Sequence, residues 1–206
     1  MADTVKLAVL VSGGGTNLQA IIDAKKSGVI KNAQIKLVIS SNPSAYALVR
    51  AKENRIPAKV ISKRDFETEE KAEAEIIKTL EEYGIDLIVL AGYMQILSKD
   101  FTKHFEGRII NIHPSLIPSF CGDGFYGLRV HKAALERGVK VTGATVHFVN
   151  EITDGGKIIM QKAVKVLKND TPKTLQERVM RLAEWKILPE SIEKISQRIL
   201  KEREKR

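Results

Sequence analysis

Asn111 and His113 stand two residues apart at the end of an apolar run, "RIINIHPSLIP", and prolines follow directly. Successive side chains of a strand alternate faces, so this spacing puts the amide and the imidazole on one face and Ile110 and Ile112 on the other. Pro114 and Pro118 stiffen the exit and keep the run from continuing as a central ladder strand. An amide beside a group that titrates near neutrality offers a neutral donor to a developing oxyanion and a site for proton transfer, the equipment of carbonyl addition. Ser115, inside the N-I-H-P-S turn, reads as a residue that hydrogen-bonds backbone. No G-x-S-x-G elbow surrounds it, so acyl-enzyme chemistry has no support.

A second stretch, "SGGGTNLQAII" from Ser12, joins an apolar run to a helical pattern. Backbone N–H groups unhindered by side chains, at the positive end of a helix dipole, make an anion site, typically for phosphate. Asn17 is placed to cap the helix or to reach that anion. The stretch is not a Walker A loop, because no Gly-Lys-Ser/Thr follows, nor G-x-G-x-x-G, because Leu18 takes the sixth position. The next strand runs into Ser40, Ser41 and Asn42 with no acidic residue, which also disfavours a dinucleotide.

Asp154 precedes Gly155 and Gly156 in "NEITDGGKII". Two readings stay open from the residues alone: a hairpin turn, or a carboxylate set beside His113 that raises the imidazole pKa and favours its charged form. Of the other histidines, His147 in "TVHFV" reads as half-buried on a strand, His131 as starting or lining a helix, and His104 as surface. No H-x-x-H, H-E-x-x-H or cysteine cluster provides metal-ligand spacing, so no metal is expected. "GYMQIL", from Gly92 to Leu97, reads as packing that can also wall a flat ligand.

The elements that must position these groups follow from periodicity. Runs at Val5 to Val11, Ile35 to Ser40, Ala58 to Ser62 and Asp86 to Ala91 are short and nearly continuous in apolarity, as for strands buried on both faces of a parallel sheet. Helical patterns separate them, with Gly28 and Gly84 where C-caps belong. The second half reads as three strands, "RIINIH", "VTGATVHFV" and "GKIIMQKAVKV", with too little room for a helix between the last two. The expectation is an α/β fold: an open, mostly parallel twisted sheet with antiparallel edge strands in the C-terminal half, and ligands beyond the carboxyl ends of the strands. Thr171 then caps a helix with Pro172 at its first position, Pro189 should break or kink it, and Ile192, Ile195 and Ile199 form the buried stripe beyond.

The 206 residues read as one domain, residues 1–206, with a phosphate-binding half over 1–92, a catalytic half over 93–190 and a basic end over 191–206. No signal peptide or spanning segment is visible, and the one cysteine, Cys121, cannot form an internal disulfide, so a cytoplasmic setting with no membrane partner is expected. The net charge is +9, but six of the 34 basic side chains crowd the stretch from Lys194 onward, and no aromatic residues interleave with them. A solvated basic helix end plus attraction for small anions accounts for this better than a nucleic-acid groove.

These stretches, in this order from about Lys6 to Glu190, resemble the phosphoribosylglycinamide formyltransferases, folate-dependent enzymes of purine biosynthesis. The shared motifs are "SGGGTNLQAII", "LAGYMQIL", "NIHPSLIP", "GATVHFV" and "DGGKII". The resemblance implies a Rossmann-like formyltransferase fold and transfer of a formyl group from 10-formyltetrahydrofolate, as co-substrate, to the amine of glycinamide ribonucleotide. It implies that Gly15, Thr16, Asn17 and Glu184 bind the ribonucleotide and that Asn111, His113 and Asp154 are catalytic. In that scheme His113, kept protonated by Asp154, donates to the oxyanion or leaving nitrogen, and Asn111 hydrogen-bonds the tetrahedral intermediate. Met94, Gln95, Ile96 and Leu97, with Asn150, Glu151, Ile152 and Thr153, then line the folate pocket. The expected partners are these small molecules, in a monomer or homodimer. The loop "PSFCGDGFYGLRVH" is longer than in many relatives, Glu184 matches across a one-residue gap, and Met180 stands where relatives can carry a polar residue. Methionyl-tRNA formyltransferase and formyltetrahydrofolate hydrolase resemble the N-x-H core but carry an additional domain each, so neither is the expected reading.

Overall fold

The computed structural model describes residues 4–205. In chain order the elements are β1 (Val5–Val11), α1 (Thr16–Lys26), β2 (Ala33–Ser40), α2 (Tyr46–Glu53), β3 (Ala58–Val60), α3 (Glu69–Glu82), β4 (Leu87–Leu90), α4 (Lys99–His104) and β5 (Ile109–His113). There follow α5 (Leu128–Arg137), β6 (Val141–Phe148), β7 (Ile158–Lys165), α6 (Pro172–Val179), a π-helical turn (Met180–Glu184) and α7 (Trp185–Arg203). The strands make one sheet in the order β3-β2-β1-β4-β5-β6-β7. The first five are parallel and β6 and β7 antiparallel, as the sequence leads one to expect.

Period-two alternation divides the core between the two faces. Leu7, Val9 and Val11 of β1 and Leu87 and Val89 of β4 pack with residues of α1, α2, α6 and α7. Ala8, Leu10, Ile88 and Leu90 pack instead with Ile76 and Leu80 of α3 and Phe101 of α4. Because both faces are covered, the strands read as continuous apolar runs. On β5, Ile110 and Ile112 join the first core, so Asn111 and His113 project from the opposite face. The chain's direction across the sheet reverses between β1 and β4, and a crevice opens there beyond the carboxyl ends.

The Thr171 cap is present: its Oγ1 accepts from the Thr174 N–H while the Thr174 Oγ1 accepts from the Thr171 N–H, with Pro172 at the first helical position. Pro189 does not break the helix, contrary to the expectation from sequence; α7 runs through it. The irregularity lies upstream, in the π turn, which ends at Trp185 with ψ −4°. That angle rotates the carbonyl which the proline ring would otherwise meet four residues earlier. The π turn also resets the helix face. Leu175, Val179, Ala183 and Ile187 are all buried, a spacing of four that a regular 3.6-residue helix would not keep, while Leu182 is left exposed. Among the described residues no helix is long and apolar enough to cross a membrane.

Candidate active site

A cavity of about 700 Å³ occupies the crevice, within the range of small-molecule sites. It is lined by Asn17 after β1, by Met94, Gln95, Ile96 and Leu97 after β4, by Asn111 and His113 of β5, by Asn150, Glu151, Ile152, Thr153 and Asp154 after β6, and by Glu184 of the π turn. The fold thus gathers residues spread over most of the chain. Gly15 and Thr16, expected with Asn17 to bind the ribonucleotide, do not line this cavity; Thr16 faces a second groove between α1 and α7, lined also by Arg50 and Trp185.

Asp154 is the hub. Its Oδ2 lies 3.3 Å from Nδ1 of His113 and accepts from the Gly122 N–H at 2.9 Å. Its Oδ1 accepts from Nδ2 of Asn111 at 3.4 Å and lies 3.5 Å from Nε2 of His147. A left-handed φ of 55° aims the side chain inward, a conformation that Asp tolerates better than most residues. Gly156 follows because a Cβ there would sit 1.7 Å from the Phe148 carbonyl oxygen. Of the two readings of this aspartate, the carboxylate beside His113 is the one the structure has. Burial alone would raise its pKa, yet the hydrogen bond from His147, the charge on His113 and the Gly122 N–H together hold it below the usual carboxylate range.

His113 departs from expectation in one respect. Burial lowers its pKa and outweighs Asp154 and the Phe120 carbonyl, which raise it; His147 lowers it further. The neighbour is in place, but the net shift favours the neutral ring. Its Nε2 lies 2.9 Å from the Phe120 carbonyl oxygen, so the long loop after β5 reaches back over the histidine. Ser115 bonds backbone as expected, to the Ser119 carbonyl at 2.6 Å.

His147 was legible only as a half-buried strand residue; it is 1% exposed and part of the cluster. It pairs directly with Asn111 across β5 and β6, and Nδ2 of Asn111 lies 3.2 Å from its Nε2. The alternation Thr145-x-His147 was the available signal, but only the strand register tells which residue it faces. His131, in the first turn of α5, is wholly buried; neither ring nitrogen has a partner, and burial with the nearby His113 pushes its pKa down to about 4.

At the glycine turn, the carbonyls are bound away from the crevice: Gly13 accepts from the Ala47 N–H at 3.1 Å, Gly14 from Nε of Arg50 at 2.9 Å and Gly15 from the Gln19 N–H at 2.9 Å. The first N–H groups of α1 have no partner within the helix and form an anion-accepting end. Gly15 has φ 68°, and a Cβ on it would lie 2.6 Å from that of Ala47. Asn17 donates Nδ2–H to Oε2 of Glu184 at 2.7 Å, which ties the turn to the π turn. Burial pushes the Glu184 pKa up to about 7, against the lowering effect of that bond. Met180, which sequence comparison marked as unusual, accepts weakly at its Sδ from the Thr16 hydroxyl at 3.8 Å.

The formyl transferase family model matches residues 5–192. The phosphoribosylglycinamide formyltransferase of Haemophilus influenzae is 46% identical over 184 residues, 89% of this chain and 84% of that protein. The human trifunctional purine biosynthetic protein adenosine-3 is 44% identical over 191 residues, but the chain spans only 18% of that much longer protein. The structure of glycinamide ribonucleotide transformylase 1 from Symbiobacterium toebii superposes with a TM-score of 0.88 at 40% identity, covering 96% of this chain and 90% of that one. The chain therefore belongs to the formyl transferase family, among the phosphoribosylglycinamide formyltransferases.

Proposed function

We propose that the chain transfers a formyl group from 10-formyltetrahydrofolate to the amine of glycinamide ribonucleotide, giving the N-formyl product and tetrahydrofolate. The observation that carries this reading is that one cavity is lined by the Asn111, His113 and Asp154 cluster, by the Asn17–Glu184 pair, and by walls at Met94–Leu97, largely apolar, and Asn150–Thr153, largely polar. Two ligands can meet there: a phosphorylated sugar anchored at the glycine turn through Gly15, Thr16 and Asn17, and a flat folate ring against the walls.

The amine attacks the formyl carbon, and the carbonyl electron pair moves onto oxygen. His113 stabilises that oxyanion by donating a hydrogen bond from Nε2, once the Phe120 carbonyl has given it up; with Asp154 at Nδ1 the step uses the charged ring, the form that Asp154 favours and burial opposes. Collapse re-forms the carbonyl and breaks the bond to the folate nitrogen. That nitrogen gains a proton while the attacking amine loses one. Asp154 orients the His113 ring from its Nδ1 side. Alignment of two bound substrates supplies much of the rate, as in other reactions in which a bimolecular encounter becomes intramolecular.

The test follows the folate absorbance when the protein meets 10-formyltetrahydrofolate with and without glycinamide ribonucleotide. Deformylation that requires the ribonucleotide is expected. Deformylation without it would mark a hydrolase, and none in either case would leave an anion-binding module.

A further inference from the structure

The three carbonyls of the glycine turn are held in two different ways. Backbone N–H groups take the outer two: Ala47 donates to Gly13 at 3.1 Å and Gln19 to Gly15 at 2.9 Å. The middle carbonyl, that of Gly14, is held by a side chain, through Nε of Arg50 at 2.9 Å. Arg50 stands on α2 and is itself fixed twice more. Its Nη1 donates to Oε1 of Gln19 at 3.0 Å, and its guanidinium lies 5.0 Å from the centre of the Tyr46 ring, one helical turn back. One planar fork thus grips both the turn and the start of α1.

Packing does not fix the Gly14–Gly15 peptide. A Cβ on Gly14 would meet nothing within 4 Å, and a glycine on each side leaves the plane free to turn. The peptide is planar and trans, so the N–H of Gly15 points opposite to the carbonyl that Arg50 holds. Turned over, the same plane would offer an anion the negative end of its dipole in place of a donor. We propose that Arg50 is a positioning residue for the ribonucleotide: its hydrogen bond to the Gly14 carbonyl keeps the Gly15 N–H facing the phosphate. The phosphate's owner rests on the transferase reading above. The operative group is the Nε–H, not the charge, and the effect falls on phosphate affinity, not on formyl transfer.

The test uses the full chain with Arg50→Met and Arg50→Gln. Methionine carries a methyl group where arginine has Nε; glutamine carries an amide nitrogen there and no charge. Inorganic phosphate is the first probe, followed at the Gly15 amide resonance, which it should move in the unaltered chain. Arg50→Met should weaken phosphate binding by about 10-fold, and Arg50→Gln should recover most of that loss. In kinetics, Arg50→Met should raise the ribonucleotide KM by about 10-fold while kcat and the folate KM stay within about twofold. A Gly15 amide indifferent to phosphate overturns the proposal. So does Arg50→Met with unchanged affinity, or a glutamine variant no better than methionine, which would make the charge the operative property. A folate KM that rises in step with the ribonucleotide KM also overturns it, as the mark of general disturbance. Should the methionine variant fail to fold, the Gly15 resonance and the glutamine variant decide, the latter binding phosphate nearly as well as the unaltered chain. Phosphate binding is measured without folate, so failure of the transferase reading shows separately, as absent ribonucleotide-dependent deformylation in the unaltered chain.

Discussion

Nδ1 of His113 and Oδ2 of Asp154 stand 3.3 Å apart, with only 5% and 8% of the two side chains exposed. Two buried titratable groups at this distance set each other's charge, and here burial works against the charge of both. Asp154 stays ionised because it collects three further contacts, from His147, Asn111 and Gly122. His113 has fewer, and its ring is pushed towards neutrality.

Asp154→Asn keeps the left-handed backbone, which asparagine tolerates, and removes the charge. It should lower kcat by about 100-fold or more and lower the His113 pKa further, because the effect that raises it is gone. Steady-state kinetics and an NMR titration of His113 check both parts; a raised His113 pKa would contradict the electrostatics.

Glu184→Gln tests the buried carboxyl. Its folded pKa, about 7, lies above the ordinary 4.5, so the fold favours the protonated form. Its stabilising contribution is therefore full below about pH 4.5 and is lost as pH rises through 7. Urea denaturation at pH 8.5 should find the glutamine variant more stable by about 3 kcal/mol, with the two proteins nearly equal at pH 4.5. Equal stability at the higher pH would mean that the carboxyl ionises without penalty.

Gly15→Ala should both destabilise the fold and raise the ribonucleotide KM. The left-handed φ costs about 1–2 kcal/mol for a residue with a Cβ, and the new methyl meets Ala47 at 2.6 Å. Gly13→Ala is the comparison: a Cβ there meets nothing within 4 Å, so stability should change by less than about 0.5 kcal/mol. Thermal denaturation of both variants checks the difference, and equal losses would contradict it.

Much of the fold is visible in the chain because a sheet covered on both faces writes itself as short apolar runs, and the two-residue spacing of Asn111 and His113 is a local property of one strand. What escaped depends on register or on helix geometry. His147 faces Asn111 only because β6 returns antiparallel after a connection of more than two dozen residues, and no local pattern fixes that pairing. The Pro189 expectation failed because the chain widens one turn upstream, at Met180–Glu184, and so relieves the proline before the helix reaches it. The same turn delivers Glu184 to Asn17, so the one-residue gap in the resemblance and the π turn fall at the same place. The neighbour of His113 was read correctly and the direction of its pKa was not, since burial depth depends on the loop that covers it.

The most direct test of the account is the kinetics of His113→Ala with both substrates. Turnover should fall by about 100- to 10,000-fold while the KM values for the ribonucleotide and the folate stay near those of the unaltered chain, as for a group that acts on the transition state. Unchanged turnover with an equal loss of binding would make His113 a binding residue and contradict the mechanism.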